Sequence, residues 1–228
     1  MAEKRGLWIN IEGVDCTGKG EQSKRLHNFF VDQCEDNTVL TTHEPTIRAK
    51  EIKKKLTEEK DAYSEREKMS SLYIEDRKMH EEEEIIPVYN FGGIVTTNRH
   101  KFSTDAYQSA QGIDLNKTMK MQEEKGIHTP DLTLILDITI ETLRKRMENT
   151  RKINPLKYND KFESNLEFQG KVIEQYRKIF RMQDSNPEYF GRIELIDANQ
   201  DIDKVADSIR KVVEPIYKNW DLERRTDN

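Results

Sequence analysis

The sequence contains few cysteines and no long apolar run. Cys16 and Cys34 are the only cysteines among the 228 residues, and their spacing does not match a CxxC pair or another common metal-ligand pattern. We therefore expect no zinc site and a reducing compartment. No run approaches the ~20 apolar residues of a membrane span, and MAEKRG leads into an apolar segment without a signal region. These features predict a cytoplasmic protein without a membrane partner.

The chain also lacks a basic tail or a basic stripe. Its formal net charge is −5, with 36% charged and 34% hydrophobic residues. Binding of duplex or single-stranded nucleic acid relies on clustered Lys and Arg that neutralise phosphates. We therefore expect no nucleic-acid partner, whereas a nucleotide monomer remains compatible with the composition.

Short runs rich in β-branched residues alternate with longer charged segments that have helical spacing. The runs predict strands at 7–12, 38–44, 93–98, 132–137 and 192–197. The longer segments predict helices at 21–34, 65–88, 141–150, 162–183 and 201–217. This alternation predicts a single α/β domain over residues 1–228, with a three-layer α/β/α fold and a five-stranded parallel sheet. Ligands of such sheets bind beyond the carboxyl ends of the strands.

Two polar segments are predicted to lie outside this framework. TRKINPLKYND, residues 150–160, is basic and contains a proline between two predicted helices. It could be a simple connection, but its position predicts a short mobile lid over phosphates at about 146–160. The charged segment KNWDLERRTDN, residues 218–228, is expected to be a flexible tail.

GVDCTGKGEQ, residues 13–22, has the glycine and lysine spacing of a phosphate-binding P-loop between a predicted strand and a predicted helix. Successive backbone N–H groups in such a loop form a concave anion site. The predicted ATP phosphate-binding residues are Gly13, Val14, Asp15, Cys16, Thr17, Gly18, Lys19 and Gly20. Gly20 occupies the position where a Ser or Thr hydroxyl normally ligates Mg²⁺. The alternative interpretation is a glycine-rich strand-to-helix turn with an exposed lysine.

Six segments of the chain together form a recognisable pattern. They are IEGVDCTGKGEQ (11–22), THEPT (42–46), LYIEDRKMH (72–80), NRHKFSTDAYQSAQGID (98–114), PDLTLILDI (130–138) and NDKFE (159–163). In the same order, these segments resemble motifs of the thymidylate kinase family, whose members transfer the γ-phosphoryl group of ATP to dTMP; the first resembles the family's EGxDGxGKTTQ. The resemblance covers about residues 7–180. It implies ATP- and Mg²⁺-dependent phosphorylation of dTMP by a homodimer.

The resemblance also implies roles for individual residues. Tyr73 would stack on thymine, Arg77 would hydrogen-bond a base carbonyl, and Asp15 would bind the 3′-hydroxyl group. The implied dTMP-binding set is Asp15, Arg48, Tyr73, Arg77, Arg99, Thr104, Tyr107 and Gln108. The family places a crucial arginine either at the position of Cys16 or in the lid, so we assign that role to Arg151, with Arg146 as its companion. The predicted catalytic residues are therefore Lys19, Arg99, Arg146 and Arg151.

Two departures from the family pattern affect the metal site. Gly20 replaces the hydroxyl ligand, and Asn98 replaces an aspartate that helps to hold the metal-water shell. We predict that Glu12, Glu21 and Asn98 contribute to Mg²⁺ binding, through water molecules where they do not ligate directly. The departures leave two alternatives open: a catalytically impaired nucleotide-binding homologue with a regulatory role, and a kinase of altered acceptor choice that accepts dUMP or another deoxynucleotide.

Overall fold

The sheet places the carboxyl ends of its central strands side by side. In the computed structural model, which describes residues 5–33, 38–46, 49, 66–153 and 165–226, five parallel strands are arranged in the order β2-β3-β1-β4-β5. They are β1 Leu7–Glu12, β2 Val39–His43, β3 Ile94–Asn98, β4 Leu132–Asp137 and β5 Ile193–Asp197. Every residue of β1 is buried, as expected for a central strand covered on both faces.

Helices connect successive strands and complete the three-layer α/β/α fold, which confirms the predicted fold class. They are α1 Lys19–Gln33, α2 Arg66–His80, α3 Ile86–Asn90, α4 Lys101–Ala110, α5 Leu115–Glu124, α6 Ile140–Ile153, α7 Leu166–Met182, α8 Pro187–Phe190 and α9 Ile202–Thr226. A π-helix at Glu81–Ile85 separates α2 from α3, and a 3₁₀ turn at Gln183–Ser185 follows α7. No helix within the described residues combines the length and the apolar character needed to cross a membrane.

The π-helix interrupts the single helix that the sequence predicted over 65–88. The four glutamates at 81–84 within it differ in environment, because Glu81 is fully buried while Glu82 and Glu83 are exposed. The Glu81 carboxylate is hydrogen-bonded to a ring nitrogen of His100 at 2.9 Å and to a ring nitrogen of His128 at 2.8 Å. Burial alone would raise the pKa of Glu81, but these hydrogen bonds lower it to about 2.

The structure corrects the prediction of a flexible tail for residues 218–226, whereas residues 227 and 228 lie outside the described residues. Helix α9 continues to Thr226, and the indole N–H of Trp220 donates to the Arg5 carbonyl at 2.9 Å. Arg224 lies over the Trp220 ring at 4.9 Å and donates to the Gly92 carbonyl at 2.8 Å. These contacts satisfy polar groups of neighbouring segments and stabilise the last turns of the helix. The local sequence indicated only the high charge of this segment and not its distant partners.

The predicted lid divides into two parts. Residues 146–153 form the last turns of α6, and residues 154–160 lie outside the described residues. The residues of the NDKFE segment, 159–163, also lie outside the described residues. The beginning of the predicted lid is therefore helical.

Candidate active site

A cavity of about 660 Å³ lies at the carboxyl ends of the central strands, where the fold class predicts a ligand site. Its lining includes Asp15, Cys16, Thr17, Gly18, Lys19, Gly20, Glu21, Asn98, Arg99 and Arg146. Residues predicted from distant parts of the sequence therefore surround one space. The size suits a small-molecule ligand.

The loop at 13–18 connects β1 to α1 and turns sharply at the base of the cavity. Gly13 has φ +137°, and a Cβ atom at this position would lie 2.9 Å from the Leu136 carbonyl oxygen. Glycine is therefore required both for the backbone conformation and for the close contact with β4. Cys16 also has positive φ, at 61°, and the Thr17 hydroxyl donates to the Val14 carbonyl at 2.8 Å. The N-terminus of α1 follows directly, which gives the loop the geometry of an anion-binding site.

Lys19 is folded back over this loop. Its ammonium group donates to the Val14 carbonyl at 2.8 Å and lies 3.6 Å from the Asp15 carboxylate. Burial and the nearby Arg99 guanidinium lower the pKa of Lys19 to about 8. An anionic ligand in the cavity would oppose both effects, so the ammonium group is suited to bind a phosphate.

Asp15 and Arg99 form the closest charged pair in the described part of the cavity. The guanidinium of Arg99 donates to one Asp15 oxygen at 2.6 Å, and the Tyr107 hydroxyl donates to the other at 3.3 Å. Arg99 also donates to the Ser103 hydroxyl at 3.2 Å and lies over the Tyr107 ring at 5.1 Å. Burial alone would raise the pKa of Asp15, but the charges of Arg99 and Lys19 lower it well below its usual range. Asp15 is therefore an ionised acceptor that holds the arginine in the cavity.

Glu12 has a role that the sequence did not predict. One carboxylate oxygen accepts from the backbone N–H groups of His100 at 2.7 Å and Ser103 at 3.2 Å. The other accepts from the hydroxyl groups of Ser103 at 2.6 Å and Tyr176 at 3.0 Å. His100 is the N-cap residue of α4, but its own side chain makes no capping bond. Glu12 therefore caps α4 from β1 and helps to fix the position of Arg99. Its part in Mg²⁺ binding stays a prediction.

The other two predicted metal residues lie at the cavity. Glu21 is in the first turn of α1, partly exposed, and pairs with Arg25 at 3.2 Å. Asn98 ends β3, and its side-chain oxygen is buried without a hydrogen-bond partner among the residues that the structure describes. This oxygen is available to a metal-bound water. A Cβ atom at Gly20 would have no atom within 4 Å, so the missing hydroxyl leaves open space beside the loop.

The donor set suits a Mg²⁺ ion that keeps most of its water ligands. Within the described residues, no group of three or more His, Cys, Asp and Glu side chains is arranged to hold a metal. Mg²⁺ in nucleotide sites is bound largely by phosphate and water, with one or two protein groups. The oxygen atoms of Asn98 and Glu21 therefore fit this ion as partners of its water shell.

Arg77 is buried beside Glu44, which lines the cavity, and 1% of its surface is exposed. Its guanidinium donates to the carboxylate of Glu44 at 2.9 Å, the carbonyl of His100 at 2.9 Å, the hydroxyl of Thr104 at 3.1 Å and the amide oxygen of Gln122 at 2.6 Å. Burial alone would lower its pKa, but Glu44 raises it. Arg77 is thus a permanently charged group held on several sides. Sequence reasoning missed Gln122, because no motif connects it to Arg77.

The remaining predicted acceptor residues lie on α2 and α4. Thr104 and Gln108 are almost fully buried on α4, and the Gln108 side-chain oxygen has no hydrogen-bond partner within the described residues. Tyr73 lies on α2 and packs against a small apolar cluster formed by Ala49 and Met69. The four-residue spacing of Thr104 and Gln108 places both on one face of the helix. Arg48 lies outside the described residues.

Arg146 connects the loop to the opposite wall of the cavity. From α6 it donates to the carbonyls of Cys16 at 3.3 Å, Thr17 at 3.2 Å, Ala198 at 2.7 Å and Gln200 at 2.8 Å. It therefore holds the P-loop against the turn between β5 and α9. The backbone of Arg151 is in the last turn of α6, and its side chain lies outside the described residues.

Comparison with known proteins agrees with this geometry. The family model described as Thymidylate kinase matches residues 11–209. A probable thymidylate kinase of Staphylothermus marinus is 32% identical over 217 residues, which cover 93% of this chain and 97% of the relative. A thymidylate kinase of Desulfotalea psychrophila is 32% identical over 219 residues, covering 96% of this chain and 99% of the relative. The chain, with its P-loop, its Asp15–Arg99 pair and these matches over most of its length, belongs to the thymidylate kinase family.

Proposed function

We propose that this protein transfers the γ-phosphoryl group of ATP to dTMP, giving ADP and dTDP. The single observation that carries the proposal is the Asp15–Arg99 pair, which lines the cavity beside the P-loop and is hydrogen-bonded to Tyr107. In the reaction, an oxygen of the dTMP phosphate bonds to the γ-phosphorus while the bond to the β-phosphate oxygen breaks. Catalysis then depends on positioning and on positive charge around the transferred group.

The donor site is formed by the P-loop and its lysine. The N–H groups of residues 13–20 and the ammonium group of Lys19 would bind the ATP phosphates. Arg146 would stabilise the loop through its backbone contacts. The catalytic role of Arg151 stays a prediction, supported by its sequence position in the predicted lid.

The acceptor site lies between α2 and α4. Arg99 would bind the dTMP phosphate, and Asp15 with Tyr107 would bind the 3′-hydroxyl group. Tyr73, Arg77, Thr104 and Gln108 would contact the base and sugar, as the family resemblance implies, and Arg48 would contribute to the phosphate site. An ionised Asp15 supports its part of this assignment, because a carboxylate is a strong acceptor for a hydroxyl group.

Mg²⁺ is the proposed cofactor, bound together with ATP. When bound, it would neutralise charge on the nucleotide phosphates and polarise the transferred group. Asn98 and Glu21 would hold water molecules of its shell, and Glu12 would act only through α4. The homodimer and the cytoplasmic location stay predictions that family membership supports.

The test is ADP release in a coupled assay with ATP and, in separate reactions, dTMP, dUMP, dCMP, dGMP and AMP, each with and without Mg²⁺. We expect Mg²⁺-dependent turnover that is fastest with dTMP. Lys19→Met should reduce turnover by about 100-fold or more, on the order of the loss seen when one hydrogen-bond donor to a transition-state oxyanion is removed. Lys24→Met is the matched control, because Lys24 lies on the same helix but is exposed. Faster turnover with AMP than with dTMP, or full activity of Lys19→Met, would contradict the proposal.

A further inference from the structure

A line of buried polar side chains leads from Asp105 through Gln122 to Arg77. Asp105 and Gln122 are fully buried, and no part of the proposed mechanism uses them. Asp105 lies on α4, one residue after Thr104, and Gln122 lies on α5. Buried polar groups of this kind restrict their neighbours to the arrangement that satisfies their hydrogen bonds.

Asp105 accepts three hydrogen bonds. One oxygen accepts from the Thr118 hydroxyl at 2.7 Å and from the Gln122 amide nitrogen at 2.9 Å, and the other accepts from the Tyr189 hydroxyl at 2.6 Å. A carboxylate can only accept, so it requires the NH₂ side of the Gln122 amide to face it. The carbonyl of Lys101 also only accepts, and it lies 3.3 Å from the same nitrogen, so it favours the same orientation of the amide.

The orientation of the Gln122 amide follows from these partners. With its nitrogen towards Asp105, its oxygen faces the Arg77 guanidinium at 2.6 Å. The reverse orientation would place the oxygen against a carboxylate and a carbonyl, and the NH₂ group against a cation. Each of these contacts is repulsive in a buried site, so one orientation is strongly preferred.

Arg77 depends on this acceptor for one end of its guanidinium. Nε donates to the Glu44 carboxylate, which Nη2 also contacts. Nη2 donates as well to the His100 carbonyl, and Nη1 donates to the Thr104 hydroxyl. If the Gln122 oxygen turned away, Nη1 would keep only the longer contact to Thr104, at 3.2 Å. A buried charged donor without its partner would shift, and Thr104 would shift with it.

We propose that Asp105 and Gln122 are positioning residues that orient Arg77 for the acceptor base and so contribute to the choice of acceptor. The inference rests on the proposed function, in which Arg77 and Thr104 face the base. A guanidinium is a donor only, and it therefore favours the carbonyl at position 4 of thymine or uracil over the amino group of cytosine. An arginine whose guanidinium is held in position to donate to that carbonyl discriminates between these bases, and a displaced guanidinium discriminates less.

The decisive variant is Asp105→Asn, whose amide can donate to Gln122 and allows the Gln122 amide to reverse. We expect KM for dTMP to rise and the ratio of kcat/KM for dTMP to that for dCMP to fall by about tenfold or more, because one hydrogen bond to a charged group is lost. KM for ATP should stay unchanged. In the double variant Asp105→Asn with Gln122→Glu, a carboxylate oxygen replaces the amide oxygen that faces Arg77, and the other oxygen can accept from the Asn amide at position 105. We expect it to recover most of the ratio.

Thr118→Val is the matched control. Thr118 is fully buried and donates to the same Asp105 oxygen, but among the described residues its hydroxyl makes no hydrogen bond to Gln122 or Arg77. We expect this variant to lose stability while it keeps the ratio for dTMP over dCMP. If Asp105→Asn does not fold, Gln122→Met removes the acceptor of Arg77 with nearly the same side-chain length, and it should lower the same ratio.

The outcomes separate this inference from the proposed function. If the wild type phosphorylates dTMP and the variants keep its KM and base preference, the positioning role is wrong and the function stands. If the wild type does not phosphorylate dTMP, the function fails, and NMR of side-chain amides decides the remaining question. We expect the Gln122 amide protons, identified by their absence in Gln122→Glu, to exchange slowly in the wild type and rapidly in Asp105→Asn. Equal exchange in both would overturn the inference.

Discussion

Replacing Glu12 with Gln tests whether this carboxylate caps α4 or belongs to the Mg²⁺ site. The change keeps the size of the side chain and one of its two oxygen atoms, and it removes the charge. An amide nitrogen cannot accept the hydrogen bonds that the lost oxygen received from Ser103 and Tyr176, or from the N–H groups of His100 and Ser103. Both roles of Glu12 predict lower activity, but the capping role predicts a lower Tm and the metal role predicts a higher Mg²⁺ requirement.

The capping role predicts a substantial loss of stability. Hydrogen bonds to a charged group contribute about 1.5–3 kcal/mol each, and a helix cap contributes about 1 kcal/mol. The hydroxyl groups can rotate and recover part of this energy, so the net loss should be about 3 kcal/mol. For a chain of this size, such a loss lowers Tm by roughly 6–12 °C. Arg99 directly precedes the cap, so KM for dTMP should rise as well.

The assay combines thermal unfolding with a Mg²⁺ titration of dTMP-dependent ADP release. We expect Glu12→Gln to lower Tm and raise KM for dTMP, while the Mg²⁺ concentration for half-maximal rate stays the same. Glu21→Gln is the comparison variant, because Glu21 is partly exposed and its i,i+4 ion pair with Arg25 contributes only about 0.3–0.5 kcal/mol. It should keep the wild-type Tm and require more Mg²⁺.

The reverse pattern would refute this reasoning. If Glu12→Gln keeps the wild-type Tm and needs several times more Mg²⁺, Glu12 acts on the metal ion, and the contacts with α4 contribute little. If Glu21→Gln is indistinguishable from the wild type in its Mg²⁺ titration, Asn98 is left as the proposed protein partner of the metal-bound water.

Three further predictions concern separate parts of the protein. Gly20→Thr adds a hydroxyl group at a position whose Cβ atom would contact no other segment within 4 Å, so half-maximal ADP release should need less Mg²⁺; an unchanged titration would contradict a metal role for this position. Glu81 has a pKa lowered to about 2, so its stabilising effect is complete above about pH 4.5 and is lost as the pH falls towards 2. The difference in Tm between the wild type and Glu81→Gln should therefore shrink over that range, and a constant difference would rule out this linkage. Trp220→Ala removes one hydrogen bond and one cation–π contact, so unfolding by urea should show a loss of about 2 kcal/mol at unchanged kcat; equal stability would mean that the end of α9 contributes nothing.

Much of the fold could be predicted from local pattern. The five predicted strands match the observed ones to within one residue at each end, because strands buried on both faces must be continuous apolar runs. The P-loop could be placed because its glycine and lysine positions follow from backbone geometry. The end of α9 could not be predicted, because its docking depends on hydrogen bonds to the carbonyls of Arg5 and Gly92, which are remote in sequence.

The same distinction applies to the site. Lys19, Asp15 and Arg99 lie on the cavity as predicted, because each follows the end of a central strand. The metal role of Glu12 was inferred from its nearness to the P-loop in sequence and stays a prediction, whereas its role as a cap of α4 could not be predicted. Its partners on α4 and α7 are far away along the chain, and no periodic pattern indicates that they meet.

The ion pair between Asp15 and Arg99 affects when the arginine loses its conformational freedom. Fixing a long side chain such as arginine in one conformation costs at most about 2 kcal/mol in rotamer entropy. Because Asp15 already holds Arg99 at 2.6 Å, this cost is included in the folding free energy and would not reduce the affinity for the proposed acceptor. In the proposed mechanism, the arriving dTMP phosphate would meet a preorganised cation, and Asp15 would remain beside it as a competing anion that favours release of the product.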